Sequence, residues 1–358
     1  VINVNQRRFK LKTTKTELLS ILNKLKPGLA KKDLVEQMTH YIFDGETIRT
    51  YNDHICIQIP FKTNFKCSVR ANSLLKLIDK IKSEDIILKV KDNEFLLTTK
   101  KGTQKAGFTL IEDDSEVQEL IDNLESALKE NKWKAIPEGF IEGVSLCMFS
   151  TSNNESDGTL TCLYAKKNSI VSTDRYRISR FKMKGRIKKL FLKSSSAMEL
   201  IRIPGITKYC IEQGWVCFKT DDDLIFSCRI YEGDYPDAES IIDQGIEGVT
   251  VTLPDELQEA LDTVSILIDE DDLLRKYVKI TLSKGKIICS RQKQRGWITE
   301  TIKADIDIEE EVSIIINPLF LNQILNKVKE VTISKTKALF KTEDFEHLLM
   351  LTEEEEEK

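Results

Sequence analysis

The chain has 358 residues, too many for one small core and enough for two or three domains. With 41% hydrophobic and 31% charged residues it reads as a soluble globular protein, and no apolar run approaches the ~18 residues of a membrane span. The formal net charge of −4 gives no global pull toward nucleic acid, so any DNA contact must come from charge concentrated on one surface. The eight cysteines form no C-x-x-C pair, and most lie in strand-like runs, which reads as small buried hydrophobes. His40, His54 and His347 show no metal-ligand spacing. Residues 1–8 carry no signal-peptide core, and the expected location is the cytoplasm.

Taken in order, the chain repeats one pattern six times. Strand-like runs begin near Phe9, Phe65, Lys132, Lys188, Val249 and Val312, at intervals of 56 to 67 residues. Each precedes a helical pattern: Thr16–Leu25, Asn72–Lys82, Pro137–Phe149, Ser195–Ile203, Pro254–Leu267 and Pro318–Val328. Pro137, Pro254 and Pro318 sit at or near a first turn, where a missing N–H costs nothing. The second unit, Phe65–Lys100, shows the pattern clearly. Its helix has Leu74, Leu75, Ile78 and Ile81 on one face and Asn72, Lys76 and Lys80 on the other, and a hairpin follows around Asp92-Asn93.

Odd and even units differ after the helix, so the period pairs up. The first and third units share a landmark in the hairpin, Asn52-Asp53 and Thr173-Asp174, while even units end in closing strands such as QKAGFTLI and FEHLLMLT. The expectation is an α+β chain of three repeated domains, 1–120, 121–246 and 247–352, each with two helices packed on antiparallel sheets, plus an acidic tail, 353–358. Linker-like stretches at Glu112–Glu116 and Asp243–Gly248 mark the cuts.

No enzyme signature is present: no phosphate loop, no dinucleotide fingerprint and no nucleophile elbow. No cofactor and no metal site is expected. The acidic runs Asp221–Asp223 and Asp269–Asp272 fall in turns, lack calcium-loop spacing and read as solvated. Two constellations remain. Cations at Lys15, Lys24, Lys31, Lys32, Arg70, Lys76, Lys80, Lys193, Arg202, Lys327 and Lys329 either line a phosphate-facing surface or are ordinary solvated helix faces. The acidic helices containing Glu138, Glu142, Asp255, Glu256, Glu259 and Asp262 weigh against DNA. Apolar residues Leu163, Ile178, Pro236, Ile241 and Leu348–Leu351 form either a peptide pocket at the second-to-third domain junction or ordinary interdomain core.

Ser172–Ile178, STDRYRI, is similar to the T-D-x-[HY]-R-[LM] of bacterial-type DNA sliding clamps, the DNA polymerase III beta subunits, and Gly233–Asp237, GDYPD, to their G-x-[FY]-P-D. Added to the six-fold repeat, these make the whole chain resemble that family in a divergent, phage-like version. The resemblance implies a homodimeric ring around duplex DNA, without chemistry of its own, that tethers the replicative polymerase, meets a clamp-loader ATPase and other clamp-binding proteins, and slides without sequence preference. It implies a partner-peptide pocket at Leu163, Thr173, Arg175, Tyr176, Arg177, Ile178, Pro236, Ser240, Ile241, Leu348, Met350 and Leu351. DNA-facing cations are implied at Lys24, Lys31, Lys32, Lys76, Lys80 and Arg202, and a dimer contact of Phe108 with Ile266 and Leu267. Arg175 departs from the family's small residue, and the acidic tail extends past its usual end. The alternative is a scaffold of the same fold that binds partner peptides but never encircles DNA.

Overall fold

Eight helices are found among the described residues, 10–32, 35–111, 115–130, 132–269 and 276–352 of a computed structural model. They are α1 (Lys15–Leu25), α2 (Ala71–Lys80), α3 (Ser115–Glu130), α4 (Phe140–Cys147), α5 (Ser194–Leu200), α6 (Ala238–Asp243), α7 (Leu257–Val264) and α8 (Pro318–Leu325). Six of them are the expected repeat helices. Phe9, the acidic linker residues 112–114, residues 270–272 and the tail 353–358 lie outside the described residues.

The first pair shows how sequence sets these helices. Thr14 caps α1 by accepting the Glu17 N–H, and Leu18, Leu22 and Leu25 form a fully buried stripe. In α2 Leu74 and Ile78 are buried, Leu75 is half-buried, and Lys76 and Lys80 are exposed on the other side. Lys15 Nζ donates to the carbonyls of Asp79 and Ile81, covering the C-terminal end of α2 where unpaired carbonyls and the helix dipole favour a cation. The prolines behave differently from one another. Pro318 opens α8 behind an Asn317 cap, whereas α4 and α7 start three residues after Pro137 and Pro254.

Two compact units account for the chain, and both are discontinuous: residues 1–136 with 195–231, and residues 137–194 with 232–358. The first unit holds a four-stranded sheet in the order Lys10–Thr14, Asp85–Lys91, Glu94–Thr99, Lys105–Thr109. Its eight-stranded sheet is continuous because strand Ile55–Pro60 pairs antiparallel with Ile225–Arg229, Ile57 opposite Phe226. The second unit holds a six-stranded sheet in the order Cys162–Thr173, Arg177–Lys193, Phe345–Met350, Lys337–Lys341, Glu330–Ile333, Val249–Thr252. A four-stranded sheet completes it, from edge strand Gly296–Lys303 through Lys286–Lys293 and Val278–Ser283 to Val312–Ile316.

Two helices are absent from the sequence expectation, the short α6 and the long α3, which spans the proposed boundary at residue 120. Val117, Ile121, Leu124 and Leu128 lie along its buried stripe and pack with Met38, Ile42, Tyr51, Trp215 and Cys217 of the first unit. Arg49, almost fully buried, ties the same region together through Asp44, Asp122 and Glu125. Burial raises the Asp44 carboxyl, but hydrogen bonds from Thr47 and the Arg49 charge outweigh it and hold its pKa below the ordinary value. All eight cysteines are buried, and none is in a disulfide.

Candidate functional site

The second unit carries an open apolar cavity of about 430 Å³. Its floor follows from strand register. Ile178 lies opposite Leu348 in the pairing of Arg177–Lys193 with Phe345–Met350, so both side chains occupy one face, and Met350 is on that face two residues further on. Helix α6 covers the rest, with Ala238 and Ile242 packed on Val171, Ile178 and Leu348. Ile241 and Met350 remain 37% and 44% exposed, apolar surface that no described residue covers.

Both short sequence motifs have a structural cause here. In STDRYRI, Asp174 Oδ1 accepts the N–H groups of Tyr176 and Arg177 at 3.1 Å each, and Thr173 Oγ1 accepts that of Arg175, so two short polar side chains build the turn. Position 175 then falls at φ +79°, a conformation that favours glycine and here holds an arginine. The first-unit landmark is built the same way: Asn52 Oδ1 accepts from His54 and Ile55, and Asp53 has φ +66°. Asn52 is therefore the counterpart of Asp174, one residue out of step with the sequence pairing. In GDYPD, Gly233 has φ +147°, and a Cβ there would lie 2.8 Å from Thr159. The Tyr235 hydroxyl accepts the Thr173 N–H at 3.0 Å, joining the two motifs, while Asp237 caps α6.

Charge beneath the pocket is buried and paired. Arg177 donates to Asp174 at 2.8 Å and to Gln323, with its guanidinium 4.1 Å from the Phe320 ring. Burial pushes the Asp174 carboxyl up and the Arg177 guanidinium down, and their mutual attraction offsets each shift only in part. Arg180 bridges Glu346 at 2.7 Å and Asp243 at 2.6 Å, which ties the end of α6 to the sheet. On the sheet's other face, His347 is fully buried among Phe149, Phe340 and Phe345. Its Nδ1 is 2.7 Å from Ser179 Oγ, and its Nε2 has no hydrogen-bond partner among the described residues.

Burial, reinforced by the Arg177 and Lys327 charges, holds His347 well below the ordinary histidine pKa. The unfolded chain takes up this proton near pH ~6.5 while the folded chain does not, so stability falls as pH drops below that value. His347→Gln should therefore show a shallower loss of stability between neutral pH and pH ~5 than the parent, by at most ~1.4 kcal/mol per pH unit, read from urea midpoints.

Of the implied pocket residues, Thr173, Arg175, Arg177, Ile178, Pro236, Ile241, Leu348 and Met350 line the cavity. Four do not. Leu163 is buried and alternates with Tyr164, whose ring packs tilted with its centroid 5.1 Å from that of Tyr235, so Leu163 points to the other side of the strand. Tyr176 packs 6.3 Å from Phe320, Ser240 is exposed on α6 with its hydroxyl donating to the Asp237 carbonyl, and Leu351 pairs its N–H with Thr336. Leu160, Asp237, Ala238, Gln244 and Lys337 line the cavity without having been named. Lys337 was accessible to reasoning: the Lys337–Lys341 and Phe345–Met350 hairpin places it opposite Met350.

The implied DNA-facing residues all belong to the first unit. Lys31, Lys32, Lys76 and Lys80 are exposed, Lys24 lies 4.0 Å from Asp222, and Arg202 pairs with Glu199. Phe108 is half-buried against Phe95 on edge strand Lys105–Thr109, while in the second unit Ile266 is 75% exposed and Leu267 partly buried in the turn after α7. The carboxylates of Asp221, Asp222 and Asp223 have separate partners, Thr207, Thr220 and Lys219, and no cluster able to hold a metal is found among the described residues. No described helix is long and apolar enough to cross a membrane.

No family profile matches the chain. The beta sliding clamp of Bacillus subtilis is 24% identical over 289 residues, covering 76% of this chain and 74% of that protein. A crystal structure of the Bacillus subtilis DNA polymerase sliding clamp superposes with a TM-score of 0.80 at 18% identity, over 97% of this chain and 100% of that one. The Bartonella birtlesii sliding clamp bound to griselimycin gives 0.81 at 13% identity, with the same coverage. The Helicobacter pylori beta clamp bound to a DNA ligase peptide gives 0.76 at 15%, over 96% and 100%. The resemblance read from the sequence therefore holds: this chain has the fold of the bacterial-type DNA sliding clamp, the DNA polymerase III beta subunit, and is a divergent relative of it.

Proposed function

We propose that the protein is a DNA polymerase processivity factor: a homodimeric ring that encircles duplex DNA and holds the replicative polymerase and other partners by short peptides in the α6 pocket. The observation that carries this reading is the pocket itself, an exposed apolar cavity at the meeting point of the two sequence motifs shared with sliding clamps. Relatives of this fold have been crystallised with a DNA ligase peptide and with griselimycin, which supports a peptide as occupant. The pocket residues are Thr173, Arg175, Arg177, Ile178, Pro236, Ile241, Leu348 and Met350. The ring has no chemistry of its own; tethering keeps a dissociated polymerase at high effective concentration beside the primer end.

The division into repeats at 1–120, 121–246 and 247–352 belongs to this proposal, as does a head-to-tail dimer through Phe108, Ile266 and Leu267. Two features support the dimer. Strands Lys105–Thr109 and Gly296–Lys303 each end a sheet, and exposed edges are usually covered or blunted. Ile266 and Trp297, 75% and 70% exposed, lie near the second of them. Lys24, Lys31, Lys32, Lys76, Lys80 and Arg202 are the proposed DNA-facing cations, contacting phosphates without reading bases. The setting is the cytoplasm of a bacterium or of an infected host, with a clamp-loader ATPase as a further partner.

Loading on nicked circular DNA tests the reading. The protein should stay on the circle and be lost when the circle is linearised. Lys76→Glu with Lys80→Glu should impair loading without changing the oligomer. Retention after linearisation would instead identify a scaffold that binds DNA without encircling it.

A further inference from the structure

We infer that the pocket is charge-selective: it takes a segment carrying a carboxylate beside its apolar anchors, and Lys337 is the residue that reads that carboxylate. The inference rests on the peptide-pocket reading and adds a specificity to it. Four charged side chains line the cavity, Arg175, Arg177, Asp237 and Lys337. Three are already engaged within the protein. Arg175 is held by Asp157 at 3.1 Å, Arg177 is buried against Asp174, and Asp237 accepts the Ser240 N–H at the start of α6. Lys337 has no ion-pair partner among the described residues.

Its position makes that free charge count. Lys337 is partly buried and lies directly across the strand pair from Met350, so it borders the exposed apolar surface that a bound segment would cover. A segment seated on Ile178, Ile241 and Met350 displaces water from beside the ammonium, and a charge pair gains strength as its surroundings lose water. The buried carboxylate of the neighbouring strand, Glu346, does not compensate it, being shared by Arg180, Lys182 and Lys341. A basic segment would meet Lys337 with no relief from these paired groups, a repulsive element that rejects wrong partners. Gln244 and Thr173, the neutral polar groups of the wall, discriminate neither sign.

The test uses the full chain and three nonapeptides with one Leu-Leu-Phe core, flanked on both sides by Glu, by Gln or by Lys. Titration at low salt should rank Glu above Gln above Lys, with a gap of about fivefold or more between the extremes that narrows as salt rises. Lys337→Gln should flatten the ranking and Lys337→Glu invert it. Equal binding of all three peptides, abolished by Met350→Asp but blind to the charge at position 337, overturns the inference and leaves the pocket standing. Absence of binding by any of the three overturns both.

Discussion

Arg180→Ala should lower the stability of the second unit by about 3 kcal/mol, a large fraction of what a domain has to lose. The guanidinium and the Glu346 carboxylate are both nearly fully buried, and the substitution leaves Glu346 with only the more exposed Lys182 and Lys341. Burial opposes charge on Arg180, but its hydrogen bonds to Asp243 and Glu346 outweigh that and hold its pKa above the ordinary value. Arg180→Met combined with Glu346→Leu should restore most of the urea midpoint, because removing both charges leaves no buried charge unpaired, only the exposed Asp243, Lys182 and Lys341. Peptide binding should not recover with it. Asp243 is largely exposed and adds little to stability, yet its bond to Arg180 holds the end of α6, which forms the pocket wall. Stability regained with affinity still reduced is the expected pattern; affinity that tracks the midpoint would mean the bridge does not position α6.

Ile121→Ala should cost about 3 kcal/mol in the first unit, the usual range for deleting a large aliphatic side chain from a packed core. Ile121 is buried with Met38, Ile42 and Trp215, so no solvent can fill the space without wetting that cluster. Trp215 is itself buried there and reports the transition by fluorescence. The exposed substitution Glu119→Ala on the same helix should leave the midpoint nearly unchanged, since Glu119 faces solvent.

Helix α3 stands where a linker is expected from the sequence. Val117, Ile121, Leu124 and Leu128 carry the helical spacing as plainly as the Leu74 and Ile78 stripe of α2. The acidic run Glu112–Glu116, which has the composition of a linker, runs into the start of the helix and masks that spacing. The six repeat helices were legible because each has a strong apolar stripe placed by a strand before it. Their starts were less so: Pro137 and Pro254 precede α4 and α7 by a full three residues, since proline fixes its own φ without obliging the next residue to turn.

The site was legible where local chemistry builds it. Asp174 builds its turn from residues two and three positions on, so that motif reads as a short string, whereas the Tyr235 hydroxyl reaches the Thr173 N–H from 62 residues away. Gln244 and Leu160 enter the cavity through tertiary placement, Lys337 through the register of a single hairpin. Only strand register brings Lys337 to Met350, and only the fold of α6 brings Gln244 to the wall. Leu163 shows the converse. It belongs to an apolar run, but alternation along the strand turns it away from the face that Tyr235 packs on.

The pairing of Arg177–Lys193 with Phe345–Met350 has a bearing on when the protein becomes competent during its own synthesis. Ser179 and His347, neighbours across that ladder, are 168 residues apart. At roughly 5–20 residues per second, the ribosome needs on the order of ten to thirty seconds to add the second after the first. Through the later part of that interval the nascent chain has α6 and the turn motif but no Leu348 or Met350 beneath them. The apolar cavity is therefore complete only once translation has delivered the last strand.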